Sequence, residues 1–203
     1  MSQKIINYQM IIDGKYTNSI TEKTIEIECP ANRRIFATVP RGNEADVDIA
    51  VKSSLKAFRS WSKVMPKERG KILLQIADAI EIEKEDIAKI IATETGNAIK
   101  TQARPEINLV VDIFRYFGGL SSELKGETIP LGEHVLSYTR REPLGVVGAI
   151  IPWNAPVMLG ACKIAPALCA GNTIVMKATE DAPLAILKVA EICQKFIPPG
   201  VLN

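Results

Sequence analysis

The first forty residues alternate between short apolar stretches and turn residues. Three β-prone stretches, 10–12, 24–28 and 35–39, are separated by Asp13-Gly14 and by Pro30-Ala31-Asn32. Gly and Asn tolerate a left-handed backbone and Pro fixes φ, so both separators favour turns. The pattern predicts a small antiparallel arm.

From residue 43 onward the apolar positions follow a helical period. Asn43, with Asp46 three residues later, is typical of a capping box, which predicts the start of the first helix. A second helix is predicted from Pro66, a third ends at Gly96, and a fourth runs from about 105 to about 124. We expect four helices in series, packed through apolar stripes. The stripes contain Val47, Ala50, Val51, Ser54, Leu55 and Phe58, then Ile72, Leu73, Ile76, Ala79 and Ile80, then Ile87, Ile90 and Ile91, and finally Leu109, Val110, Ile113, Phe114 and Phe117.

Residues 126–142 carry apolar and polar side chains on both faces of a predicted β-ribbon. A strand of that kind has no clear inner face, and its edge is open to pairing. We expect this ribbon to pair with another subunit, which makes a homo-oligomer the expected assembly.

The last sixty residues show a repeating strand and helix pattern. A strand at 146–151, a helix at 156–168, a strand at 173–177 and a helix at 182–196 are predicted. Residues 201–203 begin what should be a third parallel strand. Strands separated by helices favour a parallel sheet that is covered on both faces. Because two or three strands do not complete such a sheet, we expect the chain to be the front part of a longer protein.

Composition narrows the class of protein. The 203 residues carry a formal net charge of +2, with 47% hydrophobic and 24% charged residues, as in soluble globular proteins. Basic residues alternate with acidic ones, so we expect no nucleic-acid partner. The single histidine, His134, and the absence of C-x-x-C pairs argue against a metal site. We expect buried cysteines without disulfide bonds at the four Cys positions, which are Cys29, Cys162, Cys169 and Cys193.

One segment has the length of a membrane span. Between residues 144 and 176 the only charged side chain is Lys163. Pro152, Pro156 and Pro166 divide that segment into parts too short to cross a bilayer. Polar residues interrupt the first sixteen positions, so no secretory segment is expected either. We therefore expect a cytoplasmic protein that does not span a membrane.

Several motifs in order resemble the aldehyde dehydrogenase superfamily. They are EPLGVVGAIIPWN at 142–154, KIAPAL at 163–168, GNT at 171–173 and MKATE at 176–180, with ETG at 94–96 further upstream. The resemblance covers the chain and implies an α/β fold, with amino-terminal helices packed on an incomplete Rossmann-like parallel sheet and a protruding β-ribbon. It implies an arm and helices of the cofactor domain at 1–125, an oligomerisation ribbon at 126–142 and the start of the NAD-binding sheet at 143–203.

The resemblance also implies a role for Asn154. Family members attack an aldehyde with a cysteine thiolate, pass a hydride to the nicotinamide cofactor and hydrolyse the thioester with water activated by a glutamate. Asn154 would donate its amide to the substrate oxygen, and Pro152 and Pro156 would restrict the backbone on either side. The residues alone favour a different role for Asn154, as the N-cap of the helix that begins at Pro156 or in an Asx-turn, and it is the motif that reverses this preference.

The resemblance places the adenosine ribose of the cofactor beside Lys177 and Glu180, in a cleft lined by Ile150, Pro152 and Trp153. A carboxylate accepts hydrogen bonds from ribose hydroxyls and repels a 2′-phosphate, so Glu180 favours NAD over NADP. Without the motif, Lys177 and Glu180 could be a solvated ion pair at the start of a helix.

The family's catalytic cysteine and general-base glutamate would follow residue 203. The resemblance therefore implies that this chain does not oxidise aldehydes alone. The competing hypothesis is a non-catalytic module that binds a nucleotide or pairs with another subunit through the ribbon. A stable fold of the isolated chain would favour that hypothesis.

Overall fold

The computed structural model describes residues 5–203, which form an α/β fold. The described part has five α-helices and nine strands in four small sheets. The predicted α/β class is confirmed. No helix within residues 5–203 is both long and apolar enough to cross a membrane.

The amino-terminal arm contains two pieces of antiparallel sheet, as predicted. One is a hairpin whose loop residues Asp13 and Gly14 both have positive φ, 54° and 70°, as a two-residue loop requires. The other is a three-stranded sheet in which the first strand adds a parallel edge that the sequence pattern did not predict. The strands are β1 (Ile6–Asn7), β2 (Met10–Ile12), β3 (Lys15–Thr17), β4 (Thr24–Cys29) and β5 (Arg34–Pro40).

Three helices follow, where four were predicted. They are α1 (Glu44–Trp61), α2 (Pro66–Thr95) and α3 (Arg104–Leu120), with a π-helical turn at Ile99–Ala103 before α3. The prediction of separate second and third helices is wrong, because α2 continues without a break. Residues 81–86 contain strong helix formers and neither Gly nor Pro. Two ion pairs also connect this stretch to α3. Glu85 pairs with Arg104 at the start of α3, and Glu81 pairs with Arg115 further along it.

The start of α1 is as predicted, and its buried face is so only in part, with Ala50 and Ser54 buried as expected. The Asn43 side chain accepts from the backbone of Ala45 and Asp46, and Asp46 accepts from the backbone of Asn43, which completes the capping box. Val47 and Leu55, expected in the core, are each about half exposed. The inward face instead contains small residues and ends on fully buried Trp61.

The ribbon is an antiparallel pair, β6 (Thr128–Pro130) and β7 (Leu136–Tyr138), with mostly exposed side chains. After it come β8 (Val146–Ile150), α4 (Pro156–Cys169), β9 (Thr173–Lys177) and α5 (Leu184–Gln194). Strands β8 and β9 pair in parallel, and Leu202 forms a parallel bridge to Ile174. This bridge confirms that a third parallel strand begins at residues 201–203.

Only part of this sheet is covered within the chain. Ala149 and Ile151 are buried, whereas Gly148 and Ile150, which alternate with them, are exposed. The helices of this chain thus leave one side of β8 open, as expected of an incomplete sheet. The open side lies next to the loop that carries the predicted site residues.

Candidate functional site

Asn154 lies in the loop between β8 and α4, at the carboxyl end of the parallel strands. Its side chain is exposed. The N-cap of α4 is Ala155 and not Asn154, so the N-cap alternative for Asn154 is wrong. Among the hydrogen bonds within residues 5–203, none uses the Asn154 side-chain amide. That amide can therefore donate to a ligand.

The first turn of α4 is capped by a carboxylate from another helix. The Oε1 atom of Glu106, near the start of α3, accepts from the backbone N–H of Val157 at 3.0 Å and of Met158 at 3.1 Å. Pro156 opens the helix and has no N–H to satisfy. Burial raises the pKa of the Glu106 carboxyl, and the two backbone hydrogen bonds oppose that rise.

The loop is also held at Asn154 itself. The Nδ2 atom of Asn97 donates to the backbone oxygen of Asn154 at 3.4 Å. Asn97 follows Gly96, whose left-handed φ of 76° ends α2, and its own backbone N–H is held by the Thr95 hydroxyl at 3.0 Å. Side chains from the α2–α3 connection and from the first turn of α3 therefore contact the backbone at Asn154 and in the turn that follows it.

Lys177 and Glu180 lie together at the end of β9. Their charged groups form an ion pair with a Nζ to Oε2 distance of 2.8 Å, and both side chains are more than half exposed. The hydrogen bond from Lys177 lowers the pKa of the Glu180 carboxyl, helped by its own backbone N–H. Glu180 is therefore an ionised acceptor at neutral pH. This geometry is compatible with both predicted roles, a solvated surface ion pair and a pair that binds the ribose diol.

The three apolar residues of the predicted cleft are exposed. Ile150 is 74% and Trp153 63% accessible, and Pro152 is exposed between them. Large apolar side chains at such exposure, beside an ionised carboxylate, are common where a ligand or another surface binds.

The predicted residues divide between two depressions in the described surface. One groove of about 360 Å³ contains Trp153 and Glu180 between β4, the end of α2 and the start of α5. The other, of about 450 Å³, contains Ile150 on the open side of β8. Neither is lined by Asn154 or Lys177. The structure therefore brings Lys177, Glu180 and Trp153 to one edge but does not enclose all six residues.

Sequence reasoning missed a second buried carboxylate, Glu94. Its Oε2 accepts from the backbone N–H of Leu184 at 2.5 Å and its Oε1 from that of Ala185 at 3.0 Å, so it caps α5 from the end of α2. Burial raises the pKa of Glu94 to about 7. A signal was available: α4 and α5 both begin after Ala and Pro, without a Ser, Thr, Asp or Asn cap directly before them.

The cysteines divide by environment. Cys29, Cys169 and Cys193 are buried, as expected, whereas Cys162 is exposed and the expectation for it is wrong. Burial raises the pKa of the Cys169 thiol, and it raises that of Cys193 to about 12. Both remain neutral thiols at physiological pH, which argues against a nucleophilic role for either.

Comparison with known proteins assigns this architecture. The model described as the aldehyde dehydrogenase family matches residues 16–203. Aldehyde dehydrogenase 1 of Tanacetum cinerariifolium is 40% identical over 198 residues, which cover 96% of this chain and 40% of the relative.

Solved structures agree. PnpE from Pseudomonas sp. WBC-3, crystallised in complex with nicotinamide adenine dinucleotide, is 37% identical with a TM-score of 0.94 over 97% of this chain and 40% of its own. An NADP dependent enzyme of E. coli is 28% identical with a TM-score of 0.94 over 98% of this chain and 41% of its own. The chain thus spans about 40% of the length of the relatives it matches.

Proposed function

The chain belongs to the aldehyde dehydrogenase family, and from that premise we propose that it forms the amino-terminal part of an enzyme that oxidises an aldehyde to a carboxylic acid. NAD, when bound, accepts the hydride. The chain supplies an oxyanion donor and the adenosine side of the cofactor cleft. It does not oxidise aldehydes without the remainder of the full-length enzyme, which carries the nucleophile and the general base.

The observation that carries this proposal is the free side-chain amide of Asn154 on a restrained backbone. Asn97 holds the backbone oxygen of Asn154 and Glu106 holds the helix turn that follows, while the side-chain amide itself has no partner within the described residues. A donor that is in place before negative charge develops on the substrate oxygen does not have to reorganise. Asn154 thus stabilises the oxyanion formed when the aldehyde carbonyl is attacked.

The residues at the end of β9 fit the ribose of a nucleotide. Glu180 is ionised and exposed, with Lys177 at 2.8 Å to orient it. Ribose hydroxyls can donate to that carboxylate, while a 2′-phosphate would place like charges in contact. Ile150, Pro152 and Trp153 offer apolar surface beside it. The fit supports NAD as the cofactor, although the relatives include an NAD complex and an NADP dependent enzyme.

Replacing Glu180 by alanine in the full-length enzyme should raise the KM for NAD about tenfold or more, because a charged acceptor of hydrogen bonds is lost. The preference for NAD over NADP should fall as well, since the repulsion of the 2′-phosphate is removed. Steady-state kinetics with both cofactors measure both effects.

The control is Asp181→Ala, which removes the same charge at the neighbouring exposed position of the same groove. Its KM for NAD should remain within about twofold of the parent enzyme. Equal effects of the two substitutions, or no effect of the first, would remove Glu180 from the cofactor site.

We further propose that the exposed β6–β7 ribbon, within residues 126–142, pairs subunits in the full-length enzyme. Residues 1–125 then form the arm and helices of the cofactor domain, and residues 143–203 begin its parallel sheet. The partly open side of β8, with exposed Gly148 and Ile150, supports a sheet that is completed by further chain.

Two experiments test the function. The coding DNA can be sequenced beyond the codon for Asn203, and an open frame that continues into a cysteine-bearing segment is expected. The full-length product should then reduce NAD in the presence of aldehydes, while the 203-residue chain should not. A stop codon after Asn203 together with a stable fold of the isolated chain would favour the non-catalytic module instead.

A further inference from the structure

The segment that carries Asn154 is held by the connection between α2 and α3 and by the first turn of α3. Asn97 contacts the backbone oxygen of Asn154 itself. Glu106 contacts the two amides of α4 that follow three and four residues later. Prolines before and after Asn154 restrict φ but provide no tertiary contact to fix the loop in space.

Glu106 is the more strongly placed of the two contacts. Its residue is only 8% exposed, and its two hydrogen bonds of 3.0 and 3.1 Å are shorter than the 3.4 Å bond from Asn97. Without it, two backbone N–H groups at the start of α4 would lose their acceptor in a largely buried position. The first turn of α4 could then shift or fray, and Asn154 lies within one turn of it.

We propose that Glu106 is a positioning residue for the oxyanion donor: its carboxylate oxygen fixes the first turn of α4 and thereby the location of the Asn154 amide. This inference rests on the proposed role of Asn154. Glu106 does not contact the reacting atoms, and it acts through the backbone of Val157 and Met158.

The geometry indicates that Glu106 acts as a hydrogen-bond acceptor and that its negative charge is not required. Both bonds end on one oxygen, Oε1. A glutamine can place its single carbonyl oxygen there and accept both bonds, without the cost of burying a charge. An aspartate keeps the charge but is shorter by one methylene, so its oxygen does not reach the same place. Gln should therefore replace Glu106, and Asp should not.

The test uses the full-length enzyme with Glu106→Ala, Glu106→Asp and Glu106→Gln. We expect the Ala and Asp variants to lower kcat about 10- to 100-fold, as displacements near 1 Å can do, with the KM for NAD unchanged. The Gln variant should stay within about threefold of the parent enzyme. Asp46→Ala removes another buried carboxylate that accepts backbone N–H groups at a helix start, and it should reduce stability while kcat is retained.

A double-mutant cycle with Asn154→Ala adds a measurement that a merely structural role would not affect. Once Asn154 is gone, Glu106→Ala should lower kcat by less than about twofold more. Independent effects that multiply in the double variant would overturn the proposal, as would a Gln variant as slow as the Ala variant.

Hydrogen exchange on the full-length enzyme separates this proposal from the proposed function. The amides of Val157 and Met158 should lose protection in Glu106→Ala and keep it in Glu106→Gln. If the full-length enzyme oxidised no aldehyde, the function would fail while this exchange result could still stand. Unchanged protection in the Ala variant would refute the positioning role whatever the activity.

Discussion

Replacing Asn154 by alanine in the full-length enzyme is expected to lower kcat for aldehyde oxidation by about 100- to 1000-fold, the usual cost of losing one oxyanion donor. The substitution removes the one side-chain amide in the loop that no described residue engages. Because Asn154 does not cap α4, the fold should tolerate the change. NAD affinity should be nearly unchanged, since Lys177 and Glu180 remain in place.

Two further variants make this result specific. Asn154→Asp keeps the size of the side chain but replaces the donor by a negative charge, so it should be at least as slow as the alanine variant. Asn18→Ala removes an exposed amide that contacts only Gln9, and its kcat should match that of the parent enzyme. Unchanged turnover in Asn154→Ala would exclude Asn154 from the chemistry.

The second large effect concerns stability and pH. Glu94 is 2% exposed, and burial raises its pKa to about 7 from an ordinary value of 4.5. The folded protein therefore binds a proton on Glu94 more tightly than the unfolded chain does. Its contribution to stability is fully present below about pH 4.5 and is lost as the pH rises through about 7. Over that window the free energy of unfolding should fall by roughly 3 kcal/mol.

Other carboxylates act at a different pH. Ion pairs and hydrogen bonds lower the pKa values of Glu81, Glu83, Glu85 and Asp86, and these groups weaken the fold only as the pH falls below about 4.5. Burial also raises the pKa of Glu106, which acts in the same direction as Glu94. The window between about 4.5 and 7 therefore reports mainly on the two buried caps.

Urea unfolding of the full-length enzyme and of its Glu94→Gln variant at several pH values measures the effect. The variant loses one of two acceptors, because Glu94 uses both oxygens, so its absolute stability should be lower by about 1 to 3 kcal/mol. Its stability should nevertheless depend less on pH across the same window. Parallel pH profiles of the two proteins would show that Glu94 is not the titrating group.

Features set by neighbouring residues in the sequence were predictable. The capping box at Asn43 joins residues three positions apart, and its hydrogen bonds are those expected. Strand β9 has the predicted bounds, because an apolar stretch between Gly171-Asn172 and Lys177 leaves little freedom. The order of strand, helix, strand and helix follows from the same local signals.

Features set by distant residues were not predictable. Glu94 and Glu106 each lie in a helix and resemble ordinary acidic positions, since the N–H groups they bind are 90 and 51 residues away or further. The predicted stripe of α1 was right in part: Ser54 was expected in it and is buried, but its hydrogen bond to the Gly200 oxygen, 146 residues along the chain, was not predictable. Tertiary partners of this kind leave no period in the sequence.

The single long helix α2, where two helices were predicted, has a local explanation. Two helices were predicted between Pro66 and Gly96, but the charged residues at 81–86 are mostly strong helix formers and continue one helix. They also form ion pairs with residues elsewhere in the fold. Glu83 pairs with Lys188 in α5 and with Lys195 directly after it. A polar stretch without Gly or Pro can therefore continue a long helix.

The most direct test of the central claim is a crystal structure of the full-length enzyme with NAD and a slowly reacting aldehyde bound. We expect the Asn154 Nδ2 atom about 3 Å from the substrate oxygen, and the Glu180 carboxylate within hydrogen-bond distance of the adenosine ribose hydroxyls. An Asn154 amide turned away from the substrate, with another donor at that oxygen, would contradict the account.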